Sequence, residues 1–383
     1  MEWIFRYIIA ELIGYILKYF FYLFPLKKQT IVFVSFGGNS ISCNPYYIYK
    51  EIIKNSSNYT CYWIVNRAFD NTEIPESCFV KKNSFRYFLL MQTSKFIVTN
   101  DRLDNFIKFR RSQIVINTWH GGGAFKRTFG YPKGMFGWYI KKTNKNDSER
   151  TTYFVSTSEK WTETIARKSF GYYGKMLSYG YPRNDLFFDN NRDLKHAIRE
   201  KLKIACDSIV VLYAPTYRGL LGKSEMQSDQ FEIIDVPRVE KTVEEKYHNK
   251  AVFLYRGHRS MNYSIATDST NNVSSYPDMQ ELLLISDILI TDYSSCMWDF
   301  ALTYNPCFIY APDFEKYAKE PGFESDFNEW PFIITKNNDE LIREINDFNI
   351  EKYKIDVQRY LHDYGSFEKG KAASMLVNKM NEL

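Results

Sequence analysis

Short runs of apolar residues alternate along this chain with segments whose apolar residues recur at helical spacing. Continuous apolar runs are typical of strands buried on both faces of a sheet. The first half of the chain therefore predicts a parallel sheet covered by helices on both sides. The runs that predict its strands are 30–36, 59–66, 95–100, 113–118 and 152–156, and 46–55 predicts a helix.

The same rhythm restarts after the polar segment GYPRNDLFFDNNRD. A chain of 383 residues exceeds what one hydrophobic core usually serves. We therefore predict two Rossmann-like α/β domains, 29–188 and 189–365, that face a central cleft, and a C-terminal helix, 366–383, that crosses back to the first domain. The second set of runs predicts strands at 208–214, 251–255, 288–291 and 307–310, helices at 279–286, 295–304, 339–348 and 367–382, and an irregular polar loop at 219–245.

Residues 1–28 form a separate, strongly apolar segment. Its charged residues Arg6, Glu11 and Lys18 fall with Ala10 and Gly14 on one side of a helical wheel. Such charges are unfavourable in a membrane span, and no small-residue cleavage site follows that would indicate a signal peptide. Two interpretations stay open: an amphipathic helix lying in the inner surface of a membrane, or a helix packed on the protein's own core.

Composition excludes several classes of function. The 50 Lys and Arg against 45 Asp and Glu give a net charge of +5, too small a bias to indicate nucleic-acid binding. The six cysteines have no metal-ligand spacing, and no DxD-like pair of carboxylates follows a predicted strand. The fingerprints GxxxxGK[ST] and GxGxxG are missing as well. We therefore expect no metal and no cofactor.

The first group of candidate residues directly follows the predicted strand 113–118. Trp119 and His120 precede Gly121, Gly122 and Gly123. Glycines let backbone N–H groups approach an anion, and a histidine acts as a base near neutral pH. The alternative is that the glycines only make a turn and the histidine is structural.

Three strands of the second half are followed by groups that suit a diphosphate. A hydroxyl and a guanidinium follow 208–214, two cations and an imidazole follow 251–255, and two serines open the predicted helix 295–304. Solvated arginines and ordinary serine N-caps are the structural alternatives. The candidates are Pro215, Thr216, Arg218, Arg256, Gly257, His258, Ser294, Ser295 and Asp299.

In their order along the chain, six motifs resemble the CDP-glycerol glycerophosphotransferase family. They are NTWHG at 117–121, VSTS at 155–158, GYPRND at 180–185, YAPTYR at 213–218, RGH at 256–258 and TDYSS at 291–295. The resemblance covers roughly residues 30–380. It implies a GT-B architecture and a peripheral enzyme on the cytoplasmic face of the cell membrane. It also implies transfer of glycerol phosphate, or a similar polyol phosphate, from CDP-glycerol to a lipid-linked saccharide or growing polymer. CMP is released, and the product belongs to teichoic acid or capsule synthesis.

Matched position by position, the resemblance implies that His120 is the general base and that His258 stabilises the phosphate charge. It also implies that Trp119, Gly121, Gly122, Gly123 and Arg183 contact substrate, together with the second-half candidates. Many relatives have Thr-Pro-Leu-Lys after WHG, whereas this chain has Gly-Gly-Ala-Phe-Lys, so the polyol and the acceptor stay open. The alternative functions are a GT-B glycosyltransferase that uses a nucleotide sugar, and a non-catalytic membrane-associated scaffold.

Overall fold

A computed structural model of the chain describes residues 2–55, 58–69, 73–123, 134–216, 232–257, 271–319 and 322–383. The described residues form two compact units. Unit 1 contains the residues up to Gly121, those of 128–185, and Gly365–Leu383. Unit 2 contains Gly122 and Gly123 together with Leu186–Tyr364.

Unit 1 is a seven-stranded parallel sheet with the strand order β3-β2-β1-β4-β5-β6-β7. Its strands are β1 (Lys27–Val34), β2 (Thr60–Val65), β3 (Phe79–Lys81), β4 (Ser94–Thr99), β5 (Ile114–Asn117), β6 (Tyr153–Val155) and β7 (Lys175–Leu177). Its helices are α1 (Glu2–Phe21), α2 (Cys43–Lys54), α3 (Phe85–Thr93), α4 (Met135–Arg150), α5 (Glu159–Trp161, continued by a π-helix over Thr162–Ser169) and α13 (Ala372–Asn381).

Unit 2 is a six-stranded parallel sheet with the order β10-β9-β8-β11-β12-β13. Its strands are β8 (Ile209–Ala214), β9 (Ala251–Tyr255), β10 (Asn271–Asn272), β11 (Ile288–Thr291), β12 (Cys307–Tyr310) and β13 (Ile333–Thr335). Its helices are α6 (Arg192–Lys201), α7 (Val236–Tyr247), α8 (Met279–Ile285), α9 (Cys296–Ala301), α10 (Phe314–Lys319), α11 (Asn338–Asp347) and α12 (Ile350–Asp363).

The long apolar runs correspond to the central strands of both sheets, as predicted. Val32, Ile97 and Val98 in unit 1, and Leu212 and Leu289 in unit 2, are completely buried. Side chains covered on both faces of a sheet need no polar alternation, which is why these strands read as continuous apolar runs. The edge strands β3, β7, β10 and β13 are two or three residues long and were not predicted, because so short a run carries no period.

Two predictions for unit 2 are wrong in part. The helix predicted at 295–304 ends at Ala301, and Tyr304 has a left-handed backbone with φ 59°. Within the predicted loop 219–245, the residues from Val236 onward form α7, capped by Asp235 and buried through Val239 and Val243. The apolar spacing of this amphipathic helix was obscured by its many charged residues. Residues 219–231 lie outside the described part of the chain.

Helix α1 packs on the rest of unit 1 through the side that carries Glu11 and Gly14, whereas Arg6, predicted on the same side, is exposed and pairs with Glu2. Glu11 Oε1 lies 2.6 Å from Lys108 Nζ, and a Cβ atom at buried Gly14 would lie 2.6 Å from the Phe106 carbonyl oxygen. Packing on the protein's own core is therefore observed for this side. None of the helices in the described ranges is long and apolar enough to cross a membrane. The opposite side exposes large apolar residues: Phe5, Ile8, Leu12, Ile16 and Tyr19.

Candidate functional site

His120 lies just after β5, and its ring is fixed by the residue that follows β4. Its Nδ1 atom is 2.6 Å from the carbonyl oxygen of Asn100. Because a carbonyl oxygen only accepts hydrogen bonds, Nδ1 must carry the proton. The neutral ring then presents an unprotonated Nε2, which is the atom that a general base requires.

The surroundings of His120 favour this neutral form. Burial lowers the pKa of His120 below its ordinary value of 6.5, and the nearby positive charge of Arg183 acts in the same direction. The Asp101 carboxylate and the hydrogen bond to Asn100 oppose the shift, without reversing it. Desolvation penalises the charged ring more strongly than these two groups stabilise it. The ring is therefore neutral, and able to accept a proton, at physiological pH.

Trp119 holds the His120 ring from one side. The two rings stack with centroids 4.6 Å apart and an interplanar angle of 25°. Trp119 itself has a left-handed backbone, with φ 51°, that a bulky residue rarely adopts. Two hydrogen bonds stabilise this conformation: Trp119 N donates to Asn117 Oδ1 at 2.9 Å, and Asn44 Nδ2 donates to Trp119 O at 3.0 Å.

Arg183, which the sequence predicts as a site residue, lies at the turn that carries His120. It is 3% exposed. Its Nη1 atom donates to the His120 carbonyl oxygen at 2.7 Å and lies 3.0 Å from Cys43 Sγ. Trp161 Nε1 and the Tyr181 hydroxyl donate to the next carbonyl, that of Gly121, at 3.0 and 3.1 Å. The observed contacts of Arg183 thus position the histidine turn, and contact with a substrate phosphate stays a prediction.

The GYPRND motif is held by a residue that the sequence analysis missed. The Glu368 carboxylate accepts from Tyr181 N at 3.0 Å, from Asn184 Nδ2 at 3.1 Å and from the Thr157 hydroxyl. Asp185 in turn accepts from the first backbone N–H groups of α13. Glu368 is 187 residues from Tyr181 in the chain, so no local signal could have identified it.

In unit 2, a buried carboxylate joins the ends of β8 and β11. Asp292 Oδ1 accepts from Thr216 N at 2.8 Å, from Thr216 Oγ1 at 2.7 Å and from Tyr293 N at 2.6 Å. Asp292 is 1% exposed, whereas Pro215 and Thr216 are half-buried. Asp292 lies in the TDYSS motif, and its position in the sequence alone predicted no role for it. Its two hydrogen bonds with Thr216 identify it as the residue that positions Thr216.

Arg256 and Gly257 follow β9 in the same sheet. Arg256 N donates to the Tyr213 carbonyl oxygen at 2.9 Å and its Nη1 donates to the Tyr276 carbonyl oxygen at 2.8 Å. Gly257 N donates to Ser274 Oγ at 2.9 Å. Both residues are half-buried. The hydrogen bonds orient the guanidinium and the glycine at the carboxyl end of the strand.

The two serines after β11 differ in their contacts with α9. Ser295 makes no side-chain capping hydrogen bond to α9, and Ser294 Oγ accepts only a long bond of 3.4 Å from Cys296 N. Asp299 is 3% exposed and accepts from Gln280 Nε2 at 2.9 Å. The N-cap alternative is therefore not supported for Ser295 and is supported by one long hydrogen bond for Ser294, while a hydroxyl ligand for Asp299 stays a prediction.

The three consecutive glycines divide between the two units. Gly121 belongs to unit 1, where its carbonyl accepts the two bonds described above. Gly123 belongs to unit 2, with φ 66°, and a Cβ atom there would lie 2.2 Å from Trp298 Nε1. Glycine is thus required at Gly123 for close packing against an indole ring and for its backbone conformation.

Two predicted site residues, Arg218 and His258, lie outside the described residues. Within the described ranges, no group of three or more His, Cys, Asp and Glu side chains is arranged to hold a metal ion. The described site residues therefore form two sets. Unit 1 holds Trp119, His120, Gly121 and Arg183, and unit 2 holds Gly122, Gly123, Pro215, Thr216, Arg256, Gly257, Ser294, Ser295 and Asp299.

Comparison with known proteins gives consistent matches over nearly the whole chain. The family model described as CDP-Glycerol:Poly(glycerophosphate) glycerophosphotransferase matches residues 16–382. The teichoic acid poly(glycerol phosphate) polymerase of Bacillus subtilis (strain 168) is 31% identical over 375 residues. This match covers 92% of the present chain and 49% of the relative, so the chain spans about half of that protein's length.

Two further matches cover most of this chain and most of the matched protein. The teichoic acid glycerol-phosphate transferase of Staphylococcus aureus (strain NCTC 8325 / PS 47) is 30% identical over 344 residues, which are 82% of this chain and 83% of the relative. A solved structure of a variant of the wall teichoic acid polymerase TagF, soaked with CDPG, is 27% identical. It superposes with a TM-score of 0.81 over 99% of this chain and 97% of the solved chain.

Proposed function

Because this chain belongs to the CDP-glycerol:poly(glycerophosphate) glycerophosphotransferase family, we propose that it transfers glycerol phosphate from CDP-glycerol to an acceptor hydroxyl. A similar polyol phosphate is an alternative donor group. The acceptor is a lipid-linked saccharide or growing polymer, and the product belongs to a teichoic acid or a capsular polysaccharide. The observation that carries the proposal is the neutral His120 ring, held by Asn100 with its Nε2 unprotonated.

The reaction needs one base and a set of groups that stabilise negative charge. His120 Nε2 accepts the proton of the acceptor hydroxyl as its oxygen attacks the phosphorus that carries glycerol. A new P–O bond forms, the bond from that phosphorus to the bridging diphosphate oxygen breaks, and CMP leaves with the bridging oxygen. Phosphoryl transfer of this kind requires mainly positioning and electrostatic stabilisation.

The charge-stabilising groups are proposed to come from unit 2, which has the α/β fold with a parallel sheet that GT-B enzymes share. Thr216, Arg256 and Ser294 follow the carboxyl ends of three strands of one sheet, where parallel α/β sheets bind ligands. Thr216 N and Oγ1 both donate to Asp292, which orients the Thr216 side chain at the strand end, so the positive charge for the diphosphate is proposed to come from Arg256. His258 and Arg218 are proposed to add positive charge to the same diphosphate.

The test is product identification with purified protein, a polyprenyl diphosphate-linked saccharide and one donor at a time. CDP-glycerol and CDP-ribitol are compared with UDP-glucose as the control for a glycosyltransferase. We expect CMP and an acceptor heavier by one or more glycerol phosphate units, read by mass spectrometry. Release of UDP, or no nucleotide product from any donor, would contradict the proposal.

We propose further that the exposed side of α1 lies on the inner leaflet of the cell membrane, where a lipid-linked acceptor is located. Phe5, Leu12 and Ile16 are 64, 61 and 60% exposed on this side. The opposite side of α1 is already occupied by unit 1, through the ion pair of Glu11 with Lys108. A helix held in this way presents an apolar face that suits the interfacial region of a bilayer.

The membrane proposal is tested by replacing Leu12 and Ile16 with serine. We expect less protein to float with anionic liposomes, at an unchanged melting temperature, because neither side chain packs on unit 1. Ile53→Ser is the matched control, since Ile53 is 55% exposed on α2. Unchanged flotation of the double variant would refute this use of α1.

A further inference from the structure

The turn that follows β1 brings an aromatic ring against His120. β1, β4 and β5 are neighbours in the sheet of unit 1, and parallel strands end at the same edge. The residues that follow them include Phe36, Asn100 and His120, which are therefore brought together. The ring centroids of Phe36 and His120 are 5.1 Å apart, with an interplanar angle of 52°. The imidazole thus has an aromatic neighbour from a different strand end, in addition to the stacked Trp119 ring.

Phe36 holds this position with a strained backbone. Its φ of 47° is left-handed, a conformation that a bulky residue rarely adopts. Gly37 and Gly38 continue the turn with φ 64° and 95°. Residues other than glycine that are held in such conformations cluster at functional sites. An aromatic residue at the strained position, beside two glycines, therefore indicates that the side chain of Phe36 is needed there.

Asn100 fixes Phe36 and His120 at the same time. Its side-chain Oδ1 accepts from Phe36 N at 2.8 Å, and its backbone carbonyl oxygen lies 2.6 Å from His120 Nδ1. Asn100 is completely buried, so both hydrogen bonds are anchored in the core of unit 1. One residue therefore holds the backbone that carries the Phe36 ring and the ring of the proposed base.

The Phe36 ring affects both the orientation and the hydration of the His120 ring. Packing against a fixed neighbour keeps a reacting group near its productive geometry. An apolar ring also takes the place of water against the imidazole, which disfavours the charged form. The charged groups that act on His120 are Asp101, after β4, and Arg183, in the GYPRND motif. Phe36 adds no charge to them, so it acts on the histidine through contact and desolvation.

We propose that Phe36 is a positioning residue for His120, which holds the imidazole in the orientation for proton transfer and excludes water from it. The inference rests on the proposed function, because this orientation affects the rate only when His120 accepts the acceptor proton. None of the six motifs contains Phe36. Because Phe36 acts through His120, its loss should change kcat and the pH profile and leave the affinity for CDP-glycerol unchanged.

The experiment compares Phe36→Ala with Phe36→Tyr. Both variants keep a Cβ atom at φ 47°, so they share the backbone strain and differ in the aromatic ring. Phe188→Ala is the matched control, since Phe188 is 46% exposed in unit 2. CMP release from CDP-glycerol with a lipid-linked acceptor is measured against pH. The titration of the His120 ring is followed by NMR without substrate, with His120→Asn to assign its signal.

We expect Phe36→Ala to lower kcat at pH 7.5 by at least about 10-fold, because displacement of a reacting group by about 1 Å costs up to about 100-fold. Loss of the ring rehydrates the imidazole, so the pKa of His120 should rise toward 6.5 and the acidic limb of kcat/KM should move to higher pH. KM for CDP-glycerol should stay within about twofold of wild type. Phe36→Tyr and Phe188→Ala should match wild type in all of these measurements.

Two outcomes overturn the inference. If Phe36→Ala keeps the wild-type kcat and the wild-type titration of His120, the ring does not act on the base. If kcat falls equally in Phe36→Ala and Phe36→Tyr with the titration unchanged, the turn has only a structural role. Phe36→Leu replaces Phe36→Ala if the alanine variant melts below the assay temperature. Failure of the proposed function is recognised separately, because wild-type protein then releases no CMP while the NMR titrations still test the contact of Phe36 with His120.

Discussion

At the scale of single residues, the central feature is the state of His120 rather than its presence. In the sequence, His120 precedes three glycines and follows a predicted strand. Only the structure shows that the Asn100 carbonyl holds Nδ1 and leaves Nε2 unprotonated. Burial lowers the pKa of His120, so the ring is neutral over a wider range of pH than an exposed histidine. If His120 is the proposed base, this protonation state sets the pH dependence of the rate.

The first prediction concerns the pH dependence of the rate. Because burial lowers the pKa of His120 below 6.5, the ring stays neutral at pH values where an exposed histidine is charged. We expect the acidic limb of the kcat/KM profile to fall below pH 6.5. A limb at or above pH 7 would show that another group, or a differently placed His120, limits the reaction.

The same shift predicts the pH dependence of stability. Below pH 6.5 the histidine of the unfolded chain binds a proton before the folded one does, so stability decreases as the pH falls through this window. Between the two pKa values the loss is at most about 1.4 kcal/mol per pH unit. Urea unfolding at pH 7.5 and 5.5 should show a smaller decrease for His120→Gln than for wild type. Equal decreases would contradict the assigned shift.

Two glycines of one run provide a matched pair of substitutions. Gly123→Ala should lower the free energy of unfolding by more than about 2 kcal/mol, because it combines a left-handed φ with a clash against Trp298. At Gly121 the nearest side-chain atom, Trp119 Nε1, is 3.4 Å from an added Cβ atom, so Gly121→Ala should cost under about 1 kcal/mol. Chemical denaturation of both variants is the measurement, and similar losses would contradict the assignment.

At the scale of elements, the carboxyl ends of parallel strands and the N-terminus of α13 hold the site together. Asp185, the last residue of the GYPRND motif, accepts from Ala372 N at 2.9 Å and from Ala373 N at 2.8 Å. Asp185 therefore caps a helix that is 187 residues further along the chain, because unit 2 lies between the two in the sequence. This contact, together with those of Glu368, ties the C-terminal segment of the chain to the histidine turn within unit 1.

Loss of this cap is the prediction at the element scale. Asp185→Ala leaves two N–H groups of α13 without their acceptor and should lower stability by about 1 to 2 kcal/mol. Glu382→Ala, at the other end of α13, removes only an exposed ion pair with Lys379 and should change stability by under about 0.5 kcal/mol. Hydrogen exchange should show faster exchange of the first turn of α13 in Asp185→Ala alone. If the first turn of α13 exchanged as slowly in Asp185→Ala as in wild type, the capping role of Asp185 would be contradicted.

At the scale of the whole molecule, sequence predicts what depends on local pattern and misses what depends on distant contacts. Buried strands and the residues after them were located correctly, because a run such as that around Val98 is readable in isolation. The roles of Glu368 and Asp292 and the hidden side of α1 were not predicted, because each is defined by a partner far away in the chain. For α1 the wheel grouped Glu11 with Gly14 correctly, yet nothing local indicated that this side faces unit 1.

The central proposal is that His120 is the general base of glycerol phosphate transfer. It is tested by comparing wild type with His120→Asn for CMP release from CDP-glycerol in the presence of a lipid-linked acceptor. Loss of a general base costs 10²- to 10⁴-fold in rate. We predict a fall in kcat of at least about 100-fold with CDP-glycerol affinity unchanged within about threefold. Turnover of His120→Asn at the wild-type rate would contradict the claim.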